Sequence, residues 1–359
     1  MRIFVTVLTA VVLVASCATR KDASGDDLVR LAIAHSGGNP VSLLDLNSGA
    51  GITHMAHAGV VSDMHLHPLG GGVALVNSGS FARYSASTGS ALNGSPSAGG
   101  GSLLALASSG GVAVAAGRFQ DELRSYNYLN GDLINTLTLT DRSIEDIEFC
   151  DDDRTLLVVN RGGAIGGPVH YISRVSVAGN GELGAIQDEV VMPSYAPQVD
   201  CAPGSTAAAA IMHTTAADGH AVVTFSLSGA DITLQNTASA QVNGPANQSE
   251  DVYRPPIIQA LVFDPSGEHL FVRFSTGGTA LTQGWVEKFV FDANSYSLNT
   301  IAGWLAQTPH TTAFGKFPRL VVTPEGDEIL VPDGDKVARF STTNGSKLGQ
   351  ISDPSLGTV

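Results

Sequence analysis

The chain has 359 residues and a formal net charge of −14, with 19 lysines and arginines against 33 aspartates and glutamates. A protein this acidic lacks the cation surplus that neutralises phosphates, so nonspecific nucleic-acid binding is excluded. Charged residues are only 14% of the chain and aromatics 6%, while 41 residues are glycine, a composition of many turns and much buried strand.

The first segment is the most specific. Met1 and Arg2 give a short positive start, Ile3 to Val14 an apolar run, and Val14-Ala15-Ser16-Cys17 a small-residue close. That pattern predicts a signal peptide over residues 1–16, because the run is short of the roughly 20 residues that span a bilayer core. The quartet resembles the bacterial lipobox. The resemblance implies that the Cys17 thiol carries acyl chains, palmitate among them, and that Cys17 becomes the first residue of an exported chain. Ala18 stands where sorted lipoproteins that stay behind carry aspartate, so the same resemblance points to the outer membrane of a bacterial envelope. Residues 17–27 are then expected as a lipidated tether and 28–359 as one domain. Anchoring through buried methylenes leaves the domain in need of no other membrane segment.

Beyond the tether, Leu28 to Gly49 reads as the second and third strands of a unit whose first strand is missing. A phrase then recurs: an apolar strand, a turn with Pro or Asp and Gly, a second apolar strand, and a third strand ending in Gly or Asn. It begins with MHLHPLGGGVALVNSG at 64–79, LLALASSGGVAVAAG at 103–117 and IEFCDDDRTLLVVNRG at 147–162. It continues with QVDCAPGSTAAAAIMH at 198–213, LVFDPSGEHLFVRF at 261–274 and LVVTPEGDEILVPD at 320–333. In the last two copies Pro265 or Pro324 presets φ for the turn, and Gly267 or Gly326 takes the conformation that other residues avoid.

A period of roughly 40 to 60 residues is that of propeller blades. The expectation is an all-β chain forming a β-propeller, with seven blades of four-stranded antiparallel sheet. Eight is the competing count, because the segments around 185–197 and 236–256 have room for further strands. The C-terminal PSLGTV is the candidate for the missing first strand, which would close the ring by joining both chain ends in one blade and remove the open sheet edge. The repeat phrases resemble the YVTN and lactonase-like propellers, which share the quinoprotein-dehydrogenase-like architecture. That resemblance implies a fold, not an activity.

Apart from Cys17 the chain has two cysteines, Cys150 and Cys201, closing the first strands of consecutive units. In an oxidising compartment they are candidates for a disulfide between blades, the alternative being two buried thiols. Neither has metal-site spacing.

There is no G-x-S-x-G, H-E-x-x-H, C-x-x-C-H or G-x-x-x-x-G-K motif, and the sequence implies no cofactor. The acids Asp151, Asp152, Asp153, Asp264, Glu268, Glu325, Asp327 and Glu328 fall in first-hairpin turns. Arg118, Arg142, Arg161, Arg254, Arg273 and Arg319 fall at the opposite ends of the strands. That second face also takes the long links containing Tyr253, Trp304, His310 and Lys316, and long insertions on one face are where binding is usually placed. Guanidinium forks suit carboxylates and phosphates, although each can equally pair with a local acid.

Four histidines, His54, His57, His65 and His67, crowd into residues 52–68. Period-two alternation separates them, leaving His65 and His67 on one side of a strand with Asp63, a set that needs another blade to complete a metal site. No metal site is therefore assigned. The reading that emerges is a lipid-anchored binding or scaffolding propeller for a protein or anionic ligand. A lactonase-like or quinoprotein-type enzyme and a metal-handling protein are the alternatives.

Overall fold

The computed structural model describes residues 14–21, 27–34, 41–46, 51–55, 61–68, 71–77, 79–150, 153–162, 168–213, 221–239, 257–275, 284–308, 319–333 and 336–352. Among them every helix or strand is a strand, and the strands form seven antiparallel sheets in sequence order. These are the blades of a propeller: blade 1 spans 14–55, blade 2 63–98, blade 3 103–138, blade 4 142–192, blade 5 199–239, blade 6 257–308 and blade 7 321–352. In blade 6 the outer position is shared by two short strands, Ser297–Thr300 and Ala306–Thr308, which pair with different parts of Gly284–Asp292.

Seven is the count, and the two segments that left room for an eighth blade explain themselves. Leu183–Met192 is the outer strand of blade 4 and Asp231–Ser239 that of blade 5, while 240–256 lies outside the described residues. The first-hairpin turns fall where the repeat phrase sets them. Gly267 and Gly326 have φ of 70° and 74°, the left-handed region that glycine enters without steric cost.

Each blade buries both faces against its neighbours, so the strands read as apolar runs and the core divides into seven clusters between blades. One contains Leu157, Val159, Val223 and Phe225 of blades 4 and 5. Another joins Leu31, Leu44 and Leu46 of blade 1 to Leu330, Val337 and Ile351 of blade 7, and this contact closes the ring.

The closing device differs from the expected one. The inner strand of blade 1 is Val14–Lys21, paired with Asp27–Ala34 from Val14↔Ala34 to Lys21↔Asp27. PSLGTV lies outside the described residues. Closing a short local hairpin costs less chain entropy than recruiting a strand from the far end. Cys17 and the start of the expected tether thus belong to a strand that lies beside the inner strands of blades 2 and 7.

Cys150 and Cys201 are bonded, with Cα atoms 5.3 Å apart, and staple the inner strands of blades 4 and 5 at their lower ends.

Candidate functional site: a charged channel and an arginine-rich rim

Inner strands line the central channel with one edge unpaired, so their outward N–H groups need acceptors. Carboxylates of the preceding blade supply several. Asp63 in blade 2 accepts from Leu104 N in blade 3 at 3.0 Å, Asp146 in blade 4 from Val199 N in blade 5 at 3.0 Å, and Asp200 in blade 5 from Phe263 N in blade 6 at 2.7 Å. Gln198 does the same through its amide, accepting from Leu261 N and donating to Leu261 O. Part of the channel's acidity is therefore structural, joining blade 2 to blade 3, blade 4 to blade 5 and blade 5 to blade 6.

Arg319, at the entry to blade 7, reaches into this ring of acids. Its Nη2 lies 2.9 Å from Asp63 Oδ2 and 3.9 Å from Asp146 Oδ1, its Nη1 3.8 Å from Glu148 Oε2 and 3.1 Å from His65 Nε2. Burial would lower the guanidinium pKa, but Asp63, Asp146, Glu148 and Asp200 outweigh it and hold the charge more firmly. One cation does not neutralise four carboxyls. Burial, opposed by Arg319, lifts Asp146 to about 6, and burial, opposed by the Phe263 N–H and Arg319, lifts Asp200 to about 7. Glu148 is raised well above its ordinary value by burial and then by Asp200. Burial and Arg319 hold His65 down at about 4, so it is neutral at pH 7.

A second constellation sits above blade 4. In its inner strand, Arg142–Phe149, the core-facing residues Ile144, Ile147 and Phe149 are spaced three and then two apart. The pairing register slips between Ile144 and Asp146, leaving Glu145 as the extra residue of a β-bulge, a device that re-aims a side chain. The Glu145 side chain has no solvent exposure and holds two guanidiniums, Arg161 at 2.5 Å and Arg118 at 3.3 Å. Tyr195 OH donates to the same carboxylate at 3.3 Å and accepts from Arg118 at 3.3 Å, while Arg161 lies over the Tyr195 ring at 4.5 Å. His170 and His213 flank that ring at 5.5 and 5.6 Å. Burial lowers the pKa of both, so the cationic character of the rim comes from arginine. Beside them Arg142 grips both oxygens of Glu189 at 3.0 Å and stacks on Tyr171 at 3.7 Å.

The six arginines expected on one face thus part company. Arg118, Arg142 and Arg161 do gather on that rim, each already holding an acid. Arg319 instead enters the channel. Arg273 is 1% exposed, buried in blade 6 within reach of the Asp333 charge, and is not available to a ligand from that face. Tyr253 and Arg254 lie outside the described residues, as do His57, His310 and Lys316.

Asp63 and His65 serve Arg319, and His67 points elsewhere, its Nε2 3.1 Å from Gly110 O and its ring against Tyr128. Among the described residues no group of three or more His, Cys, Asp or Glu side chains is arranged to hold a metal ion. Sequence reasoning passed over Glu145, Asp146, Glu148 and Asp200. The slipped spacing of Ile144 and Ile147 is the signal that marks Glu145.

The class defined by these features is a seven-bladed β-propeller with a charged channel. No family model matches the sequence, and no curated relative does. Among solved structures the chain is similar to hydrazine synthase of Kuenenia stuttgartiensis, at 15% identity and a TM-score of 0.65, over 96% of this chain and 100% of that one. A functionally unknown protein from Desulfotomaculum acetoxidans is similar at 12% identity and a TM-score of 0.65, over 88% and 93% of the two chains. The β-propeller domain of Cps50 (Swd1) from Myceliophteria thermophila gives 13% and 0.58, over 94% and 96%. At these identities the likeness is one of fold.

Proposed function

We propose that the protein is an envelope-anchored propeller that binds a protein or anionic ligand on its arginine-bearing face. The observation that carries this reading is the buried Glu145 carboxylate, which fixes Arg118, Arg161 and Tyr195 in one arrangement before any ligand arrives. Preorganised guanidinium forks bind carboxylates and phosphates at a small entropy cost. Anchoring rests on Val14-Ala15-Ser16-Cys17. Cleavage before Cys17 would shorten the inner strand of blade 1 to Cys17–Lys21, with the acylated end paired to Leu31. The test is cross-linking in intact envelopes, followed by capture of the full chain. The reading predicts a specific partner or retained anion, and acyl label lost on Cys17→Ser. Recovery of nothing specific would reject the binding role, and acyl label absent from the wild-type chain would reject the anchor.

A second reading, an enzyme of lactonase or quinoprotein type, draws on the channel. Asp146 and Asp200, with pKa values near 6 and 7, would exchange protons near neutrality beside Arg319. Lactone hydrolysis by the purified chain, abolished in Arg319→Gln, would favour it over the first.

A further inference from the structure

Arg319 lies between two seats built alike. Asp63 in blade 2 and Asp146 in blade 4 hold one position of the repeat: each stands four residues before the residue that closes its first hairpin, His67 or Cys150, and each accepts an outward N–H of the next blade. His65 and Glu148 follow two residues later, on the same side of their strands by the period of two. One guanidinium faces both pairs. Its Nη2 is 2.9 Å from Asp63 and 3.9 Å from Asp146, and its Nη1 is 3.1 Å from His65 and 3.8 Å from Glu148. The shorter distances are hydrogen bonds and the longer ones are not, so Arg319 is seated on blade 2, about an ångström short of bonding to blade 4.

The preferred seat depends on charge. His65, bonded through its ring to the Leu104 backbone, offers Nε2 to Arg319 as a neutral acceptor. A hydrogen bond to an ionised carboxylate is roughly twice as strong as one between neutral groups. While Asp146 and Glu148 hold their protons, blade 4 offers Arg319 nothing better, and burial keeps Glu148 protonated well above the ordinary carboxylate range and Asp146 up to about 6. Once both ionise, blade 4 presents two carboxylates against one carboxylate and an imidazole on blade 2. Leaving blade 2 strands little, because Asp63 retains the N–H groups of Met64 and Leu104 at 2.9 and 3.0 Å. Among the described side chains the other titratable group facing Arg319 is Asp200, in the blade beside blade 4, which adds to the pull as it ionises. The inner strands of blades 3 and 6, Leu103–Leu106 and Ile257–Phe263, carry none.

We propose that Arg319 is a two-seat latch, pairing blade 7 with Asp63 and His65 of blade 2 while the channel carboxyls are protonated and with Asp146 and Glu148 of blade 4 when they are ionised. The exchange breaks the tie that spans blade 1 and replaces it with one across the channel. A displacement of about an ångström thus changes which blades are joined, and it does so whether or not the binding reading above holds.

The test is a pair of crystal structures of the full chain at pH 5.5 and pH 9, with ¹⁵N spectra of His65 over the same range. Arg319 Nη1 should hydrogen-bond His65 at the lower pH and Glu148 at the higher, each at about 3 Å. His65, with a pKa of about 4, does not titrate in this range, so its Nε2 resonance should move as Arg319 departs. Glu148→Gln removes the competing charge and should keep Nη1 on His65 at both pH values, with most of the resonance shift gone. The two wild-type structures suffice even if the variant misfolds. A guanidinium in one seat at both pH values, or an Nε2 shift as large in Glu148→Gln as in the wild type, would overturn the proposal.

Discussion

Arg319 Nη2 lies 2.9 Å from Asp63 Oδ2, an ion pair that joins blade 7 to blade 2 past blade 1, between residues 256 apart in sequence. The guanidinium also offsets the fields of Asp146, Glu148 and Asp200, so removing it leaves several acids without their cation. Arg319→Gln should destabilise the fold by about 2 to 3 kcal/mol at pH 8, less than a fully buried pair because the side chain is 23% exposed. At pH 5.5, where Asp146 and Asp200 are largely protonated, the loss should be smaller. Denaturant unfolding at both pH values checks this, and an equal loss would contradict it.

The same acids set a pH dependence. Asp146, Asp200 and Glu148 have folded pKa values above their unfolded ones, so their contribution is complete at low pH and is lost as pH rises through about 6 for Asp146, about 7 for Asp200 and higher for Glu148. The lowered imidazoles of His65, His67, His170 and His213 act in the opposite sense, but only below the ordinary value of 6.5. From about pH 6.5 to 7.5 Asp200 and Glu148 govern the slope, and stability should fall. Asp200→Asn, which keeps an acceptor for Phe263 N, should recover about 1 kcal/mol at the upper end. Melting temperatures across that window are the measurement, and identical slopes for the two proteins would refute the assignment.

Cys150 and Cys201 close a loop of 51 residues. On the chain-entropy account, constraining a loop of that length in the unfolded state stabilises the fold by about 4 kcal/mol. Cys150→Ala with Cys201→Ala should lose an amount of that order in denaturant melts. Free thiols mapped to Cys150 and Cys201 in the native oxidised chain would remove the premise.

Phe119→Gly should stabilise the fold by about 1 kcal/mol, since an L-residue pays roughly 1 to 2 kcal/mol for the left-handed region and the exposed ring returns little of it. Glycine's greater freedom in the unfolded chain reduces the gain. Thermal unfolding that shows a loss of more than about 1 kcal/mol would mean that the ring packs in the fold.

Much of the architecture is local in origin and could be read from the residues. Alternating apolar strands and Pro-x-Gly turns repeat with a blade's period, so the sheets, their order and the turn glycines at 267 and 326 follow from short stretches of chain. The neighbouring positions of Cys150 and Cys201 in consecutive repeats located the disulfide by the same logic. Which segment fills the inner place of blade 1 was not legible, because the lipobox pattern had assigned Val14–Cys17 to a leader and its join, leaving PSLGTV as the candidate, whereas the local hairpin closes at lower entropy.

The site required the tertiary structure. Arg319, at the entry to a first strand, and Arg161, at the end of a second, were both expected on one face, yet one lies in the channel among acids and the other lies over Tyr195 on the rim. The difference comes from the side chains that other blades bring to each place. Asp63, Asp146 and Asp200 looked like scattered polar residues because their partners, Leu104, Val199 and Phe263, are in the next repeat. Periodicity records which face of its own strand a residue occupies, so it fixed the blades. Charge, pKa and ligand contact depend on distances between blades, and those exist only once the ring has closed.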